Sequence, residues 1–192
     1  MSSLKADIVT FLKRDPNIPR LNFAFKTYKV YPTAYQKDVA DAIDSGEIKV
    51  GTGVPSGAAA SYYAEYDRLE LSPSFSISNS HDQAFLVHEC THAHLDIQNL
   101  GKLSGHENEA VAYLAEAMYL EASGNPPIST IAIRVVSHRI AKDVLSGTYT
   151  VPAKDAAELV TEVAADPHYS STILFESNGF NRSLFRSILR RL

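Results

Sequence analysis

Residues 88–92 read His-Glu-Cys-Thr-His, two imidazoles four positions apart with a carboxylate beside the first. On a helix, residues i and i+4 share a face, with Cβ atoms roughly 5–6 Å apart. Imidazoles at that separation can each bring a nitrogen to roughly 2.0–2.1 Å from one Zn²⁺. Glu89 is offset by about 100° around the helix, so it does not ligate beside His88 and His92 but can reach a water carried by the metal. Zinc lowers the pKa of that water towards roughly 7, where a neighbouring carboxylate can take its proton. Such a constellation hydrolyses amides. The competing reading is a core helix whose histidines are satisfied by hydrogen bonds. Two histidines and a glutamate buried at this spacing without a metal would be costly.

The helix that must carry these residues is expected to begin near 81. Ser80 and Gln83 form an S-x-x-Q capping box ahead of the apolar run Ala84, Phe85, Leu86 and Val87, and Gly101 is the expected stop. Ser104 and Glu107 form a second box, opening a helix to about 123 that Gly124 and the following Asn-Pro-Pro close. Upstream, "SYYAEYDRLELSPS" (61–74) reads as a strand or hairpin. Its "DRLELS" segment is either a plain structural strand or the edge against which an extended substrate is laid. Helices are expected over about 3–13 and 33–44, the second ending near Gly46. A short strand then runs into a Gly-rich loop (47–60) without phosphate-binding spacing. Further helices are expected over about 129–146, 153–165 and 181–192, the last with Leu184, Phe185, Ile188 and Leu192 at core spacing. The expected architecture is α+β in a single domain, 1–192. A strand-containing part reaches about 80, a helix pair carries the site over 81–123, and the remainder, 124–192, is helical.

A catalytic zinc takes three protein ligands and keeps one position open. Asp96, His94, His106, Glu107, Glu109 and Glu116 are the candidates for the third. His94 points away from His92 and fits a surface or supporting place. Asp96 can orient the His92 imidazole. Glu107 is taken up by its capping box. Glu109 and Glu116 are seven residues apart on one helix face, and spacing does not separate them. Hydrolysis also needs a donor for the developing oxyanion, for which Tyr113, one turn after Glu109, is the nearest residue. His138 reads as a packed histidine and His168 as a loop histidine. Cys90 reads as a small core residue, and Arg182, Arg186, Arg190 and Arg191 as a solvated basic face.

"HECTH" followed by "ENEAVAYLAEA" (107–117) resembles the gluzincin class of zinc metallopeptidases, the thermolysin-like His-His-Glu group. The resemblance spans about residues 66–118 and implies a zincin-like fold that cleaves protein or peptide substrates. It also implies Zn²⁺ held by His88, His92 and Glu109, the last followed by Ala110, with Glu89 as catalytic base. Tyr113 stands where that class carries an Asp four residues after the ligand Glu, so Asp96 or Glu116 has to orient the first histidine instead. No H-x-x-G-x-x-H extension of the metzincin kind is present, nor a downstream G-T-x-D signature.

The 192 residues, 45% hydrophobic and 21% charged, suit one globular domain that needs no staples. A net charge of -4 gives no reason to expect nucleic acid as a partner. The single Cys90 allows no intrachain disulfide, which suits a reducing compartment. The first residues lack a signal-peptide pattern, and no stretch approaches the roughly 18 apolar residues of a membrane span. The expectation is a cytoplasmic protein, or one exported without a cleavable signal peptide, of open oligomeric state. Two other functions fit the same motif. One is a non-catalytic zinc-binding sensor or interaction domain, against which an intact Glu89 argues. The other is a toxin-like effector protease acting on a foreign protein.

Overall fold

Ser3 begins the first helix, α1 (Leu4–Arg14), by accepting a hydrogen bond from the Ala6 N–H, and Ile8, Phe11 and Leu12 face inward. In the computed structural model, which describes residues 3–54, 59–98, 102–126, 129–169 and 174–176, the chain is mixed α+β. After α1 comes a hairpin of β1 (Phe23–Phe25) and β2 (Tyr28–Val30). Its strands are three residues long and its turn places Lys26 at φ 52, with no Gly or Asn to announce it. A wide π-type turn, Ala34–Val39, leads into α2 (Ala40–Ser45), which ends as expected on Gly46 at φ 80.

The 61–74 region forms a hairpin, with β4 (Ala60–Tyr63) antiparallel to β5 (Arg68–Leu71). The preceding strand, β3 (Lys49–Thr52), joins the same sheet parallel to β5, giving the order β3-β5-β4. The "DRLELS" strand is therefore central and cannot be the substrate edge. The edge strand that packs on the site-bearing helix is β4.

That helix, α3 (Ser80–Ile97), begins at Ser80 itself, so its cap lies one residue earlier than expected. The Asn79 side chain, not Ser80, accepts from the His81 and Asp82 N–H groups, and Gln83 donates to the Ile77 carbonyl instead of closing a box. Asn79→Ala is expected to cost about 1 kcal/mol of stability in urea unfolding. Ser80→Ala should change it by less than about 0.5 kcal/mol.

Strand β6 (Lys102–Ser104) precedes α4 (Gly105–Ala122). Ser104 stands at the α4 N-cap but makes no side-chain cap bond there. Glu107 turns instead to Lys26 Nζ (2.6 Å) and the Tyr28 hydroxyl (2.8 Å), tying α4 to the β1–β2 turn. α4 is buried nearly all round, as Ala110, Val111, Ala112, Leu114, Ala115, Ala117 and Met118 require. It packs against α3, α5 (Ala132–Asp143) and α6 (Ala153–Ala165).

The last described strand, β7 (Leu174–Glu176), pairs antiparallel with β6, so the part after 124 is not purely helical. The expected helix over 181–192, its arginines and Gly101 lie outside the described residues. One continuous core runs from α1 to α6. Among the described residues no helix is long and apolar enough to cross a membrane.

Candidate metal centre

The i, i+4 relation on α3 places the His88 and His92 rings 4.9 Å apart, centroid to centroid, both turned towards α4. They are 7% and 6% exposed. Across the helix pair, α4 presents Asn108, Glu109, Tyr113 and Glu116. Glu109 Oε2 lies 3.4 Å from His88 Nε2, and Oε1 lies 3.6 Å from His92 Nε2. Both remaining ring nitrogens are engaged elsewhere. His88 Nδ1 is 3.0 Å from Glu116 Oε2 and His92 Nδ1 is 2.7 Å from Asn108 Oδ1. Since a carboxylate and an amide oxygen only accept, each Nδ1 is the donor, and both Nε2 atoms face Glu109.

These positions can be tested against the needs of a metal ion. A tetrahedral ion with bonds of roughly 2.0–2.1 Å requires ligand atoms about 3.4 Å apart. Each Nε2 has one Glu109 oxygen near that spacing, Oε2 for His88 and Oε1 for His92. Glu109 Oε2 is buried, and the His88 imidazole 3.4 Å away is the charged group nearest to it. Burial alone would raise the Glu109 carboxyl, but His92, His88 and the Tyr169 hydroxyl outweigh it and hold it down at about 2. His88 shows the reciprocal effect. Burial disfavours its charge, yet Glu109 and Glu116 raise its pKa well above the ordinary value. Among the described residues, the group whose donor atoms lie close enough together to hold an ion is His88, Glu89 and His92, with the Glu109 carboxylate set against both imidazoles.

Glu89 stands beside this group. One donor atom from each of His88, Glu89 and His92 falls within 4.8 Å of the others. Its Oε2 accepts the Tyr62 N–H from β4 at 2.7 Å, which orients the carboxylate. Burial pushes its pKa up, and the two imidazoles and the Tyr62 N–H offset part of that rise.

The other candidates go elsewhere. Asp96 accepts from the Tyr62 hydroxyl at 2.8 Å, so Asn108 and not Asp96 orients His92. Glu116 does orient His88. His94 is fully buried, not on the surface, with Nε2 3.2 Å from the Lys29 carbonyl. Burial lowers its pKa. His106 donates to the Tyr169 carbonyl at 2.9 Å. His138 pairs with Glu121 at 3.0 Å, and His168 is an exposed turn residue. Cys90 is core, as expected.

Four contributors carry no motif of their own: Asn108, the Tyr62 N–H, Tyr169 and Arg134. Asn108 had a signal, because a helix that aims Glu109 at the pair also brings its predecessor alongside. Tyr169 had none. The turn after α6 delivers it, and its hydroxyl lies 3.0 Å from that of Tyr113, 56 positions away in the chain. Comparison with known protein families, with curated proteins and with solved structures returns no match.

Proposed function

We propose that this chain is a zinc metallopeptidase of the gluzincin type on a zincin-like fold. His88, His92 and Glu109 hold the zinc, and Glu89 is the general base. The observation that carries the reading is the approach of the two Glu109 oxygens to the two Nε2 atoms, at 3.4 and 3.6 Å. Each Nδ1 is held from α4, by Glu116 for His88 and by Asn108 for His92, which leaves both Nε2 atoms on the Glu109 side. Two imidazoles, one carboxylate and an open fourth position favour zinc among the divalent ions.

Bound there, zinc supplies a Lewis acid for a substrate carbonyl and lowers the pKa of water to roughly 7. Glu89 moves the proton: its carboxylate takes it from the attacking water and passes it to the leaving nitrogen. The Tyr62 N–H holds that carboxylate in one orientation throughout. Glu116 and Asn108 keep the imidazoles aimed at the centre.

Tyr169, rather than Tyr113 alone, is the donor for the carbonyl oxygen as it gains charge. Its hydroxyl is influenced by both Glu109 and Glu89 and is backed by Tyr113. Tyr169→Phe is expected to lower kcat about 100-fold in steady-state assays.

The test of the function is metal analysis of the purified chain together with incubation on a proteome-derived peptide library. Stoichiometric zinc is expected, with cleavage that a chelator stops and added zinc restores. A chain without zinc refutes the reading. Zinc without cleavage of any peptide marks a binding domain instead.

A further inference from the structure

We propose that Arg134, on α5, is a positioning residue for the metal centre. It fixes the Glu116 carboxylate, so that His88 keeps Nδ1 on Glu116 and Nε2 towards Glu109. This rests on the metallopeptidase reading and extends it to a helix that supplies no ligand.

Arg134 reaches from α5 to α4, where its Nη1 lies 2.5 Å from Glu116 Oε1. The other oxygen of the same carboxylate, Oε2, is 3.0 Å from His88 Nδ1. One carboxylate thus bridges a guanidinium and an imidazole. Glu116 is 3% exposed, and a carboxylate at that depth needs a cation beside it. The planar guanidinium supplies the charge in a fixed orientation.

The guanidinium is itself held from both ligand-bearing helices. Its central carbon lies 5.5 Å from the Phe85 ring centroid and 5.9 Å from that of Tyr113. Phe85 precedes His88 by about one turn of α3. Tyr113 follows Glu109 by about one turn of α4, and its ring meets the His88 ring edge-on at 4.8 Å. Any movement of α5 would therefore be felt at the His88 ring through two routes.

Rotation of a carboxylate about its last torsion is broad. Glu116 released at Oε1 can turn, and the acceptor that selects the His88 ring orientation turns with it. Outer partners of this kind carry roughly 10–100-fold in metal affinity. Arg134, one step further out, should carry about 10-fold by the same reasoning.

The experiment measures zinc dissociation constants by competition with a fluorescent chelator. The proteins are wild type, Arg134→Gln, Arg134→Lys, Glu116→Gln and the Arg134→Gln/Glu116→Gln pair. Circular dichroism checks the fold of each. Arg134→Gln should weaken zinc about 10-fold, and Arg134→Lys should recover part of the loss. In the Glu116→Gln background Arg134→Gln should have no further effect. Unchanged affinity in Arg134→Gln, or losses that simply add in the pair, overturns the proposal.

A second readout uses the imidazole NMR signals of the metal-free protein. Wild type should give a single set for His88, and Arg134→Gln a split or broadened set; identical spectra overturn the proposal. If wild type holds no zinc, the metallopeptidase reading fails by itself. The NMR comparison still decides whether Arg134 orients His88.

Discussion

Glu109→Ala is expected to strip zinc from the purified chain, while Glu116→Ala leaves a weakened but measurable site. The two carboxylates sit on one helix and both touch His88, but at different nitrogens. Glu109 meets Nε2, on the side shared with His92, and Glu116 meets Nδ1 on the far side of the ring. Loss of an outer partner costs roughly 10–100-fold in affinity, and under the proposed ligand set loss of Glu109 must cost more. Dialysis against a weak chelator, followed by metal analysis, should find Glu109→Ala empty and Glu116→Ala partly loaded. Glu116→Ala carries a second penalty, because Arg134 and the His88 Nδ1 then both lose their partner. Glu116→Gln, which keeps the volume and an acceptor oxygen, is the fairer comparison. The reverse order, with zinc kept by Glu109→Ala and lost by Glu116→Ala, would exchange the roles of the two residues.

That pair also marks the limit of what spacing can reveal. Seven residues apart on one face, Glu109 and Glu116 are equivalent by periodicity. The structure uses both because His88 has two nitrogens, Nε2 meeting Glu109 and Nδ1 meeting Glu116. The His-Glu-Cys-Thr-His helix and its partner were legible because each signal is local: an i, i+4 repeat and an apolar surround. The α3 start was misplaced by one residue because Asn79 and Ser80 are adjacent and both cap well. Whether "DRLELS" lies at the edge or in the centre depends on β3 arriving parallel beside it, which no alternation within the strand records. The hairpin β1–β2 escaped notice because three-residue strands joined through Lys26 carry no turn signature. Tyr169, from the turn after α6, and Arg134, on α5, arrive through tertiary packing, the information least available in one linear sequence.

Glu89→Gln is expected to retain zinc at the wild-type level and to lower kcat by up to about 10⁴-fold. Gln is nearly isosteric with Glu and keeps an oxygen that can accept the Tyr62 N–H, so the helix and its contact with β4 survive. What it loses is the ability to take a proton. Burial raises the Glu89 carboxyl above its ordinary value, and the two imidazoles and the Tyr62 N–H offset part of that rise. The same substitution separates three roles that proximity alone leaves together, since Glu89 lies within 4.8 Å of both imidazoles. As a ligand, Glu89 would take the metal with it when replaced. As a structural group satisfied by Tyr62, it would leave both metal and turnover intact. Only a base loses turnover and keeps the ion, and its 100° offset from the His88–His92 face is the geometry that role requires.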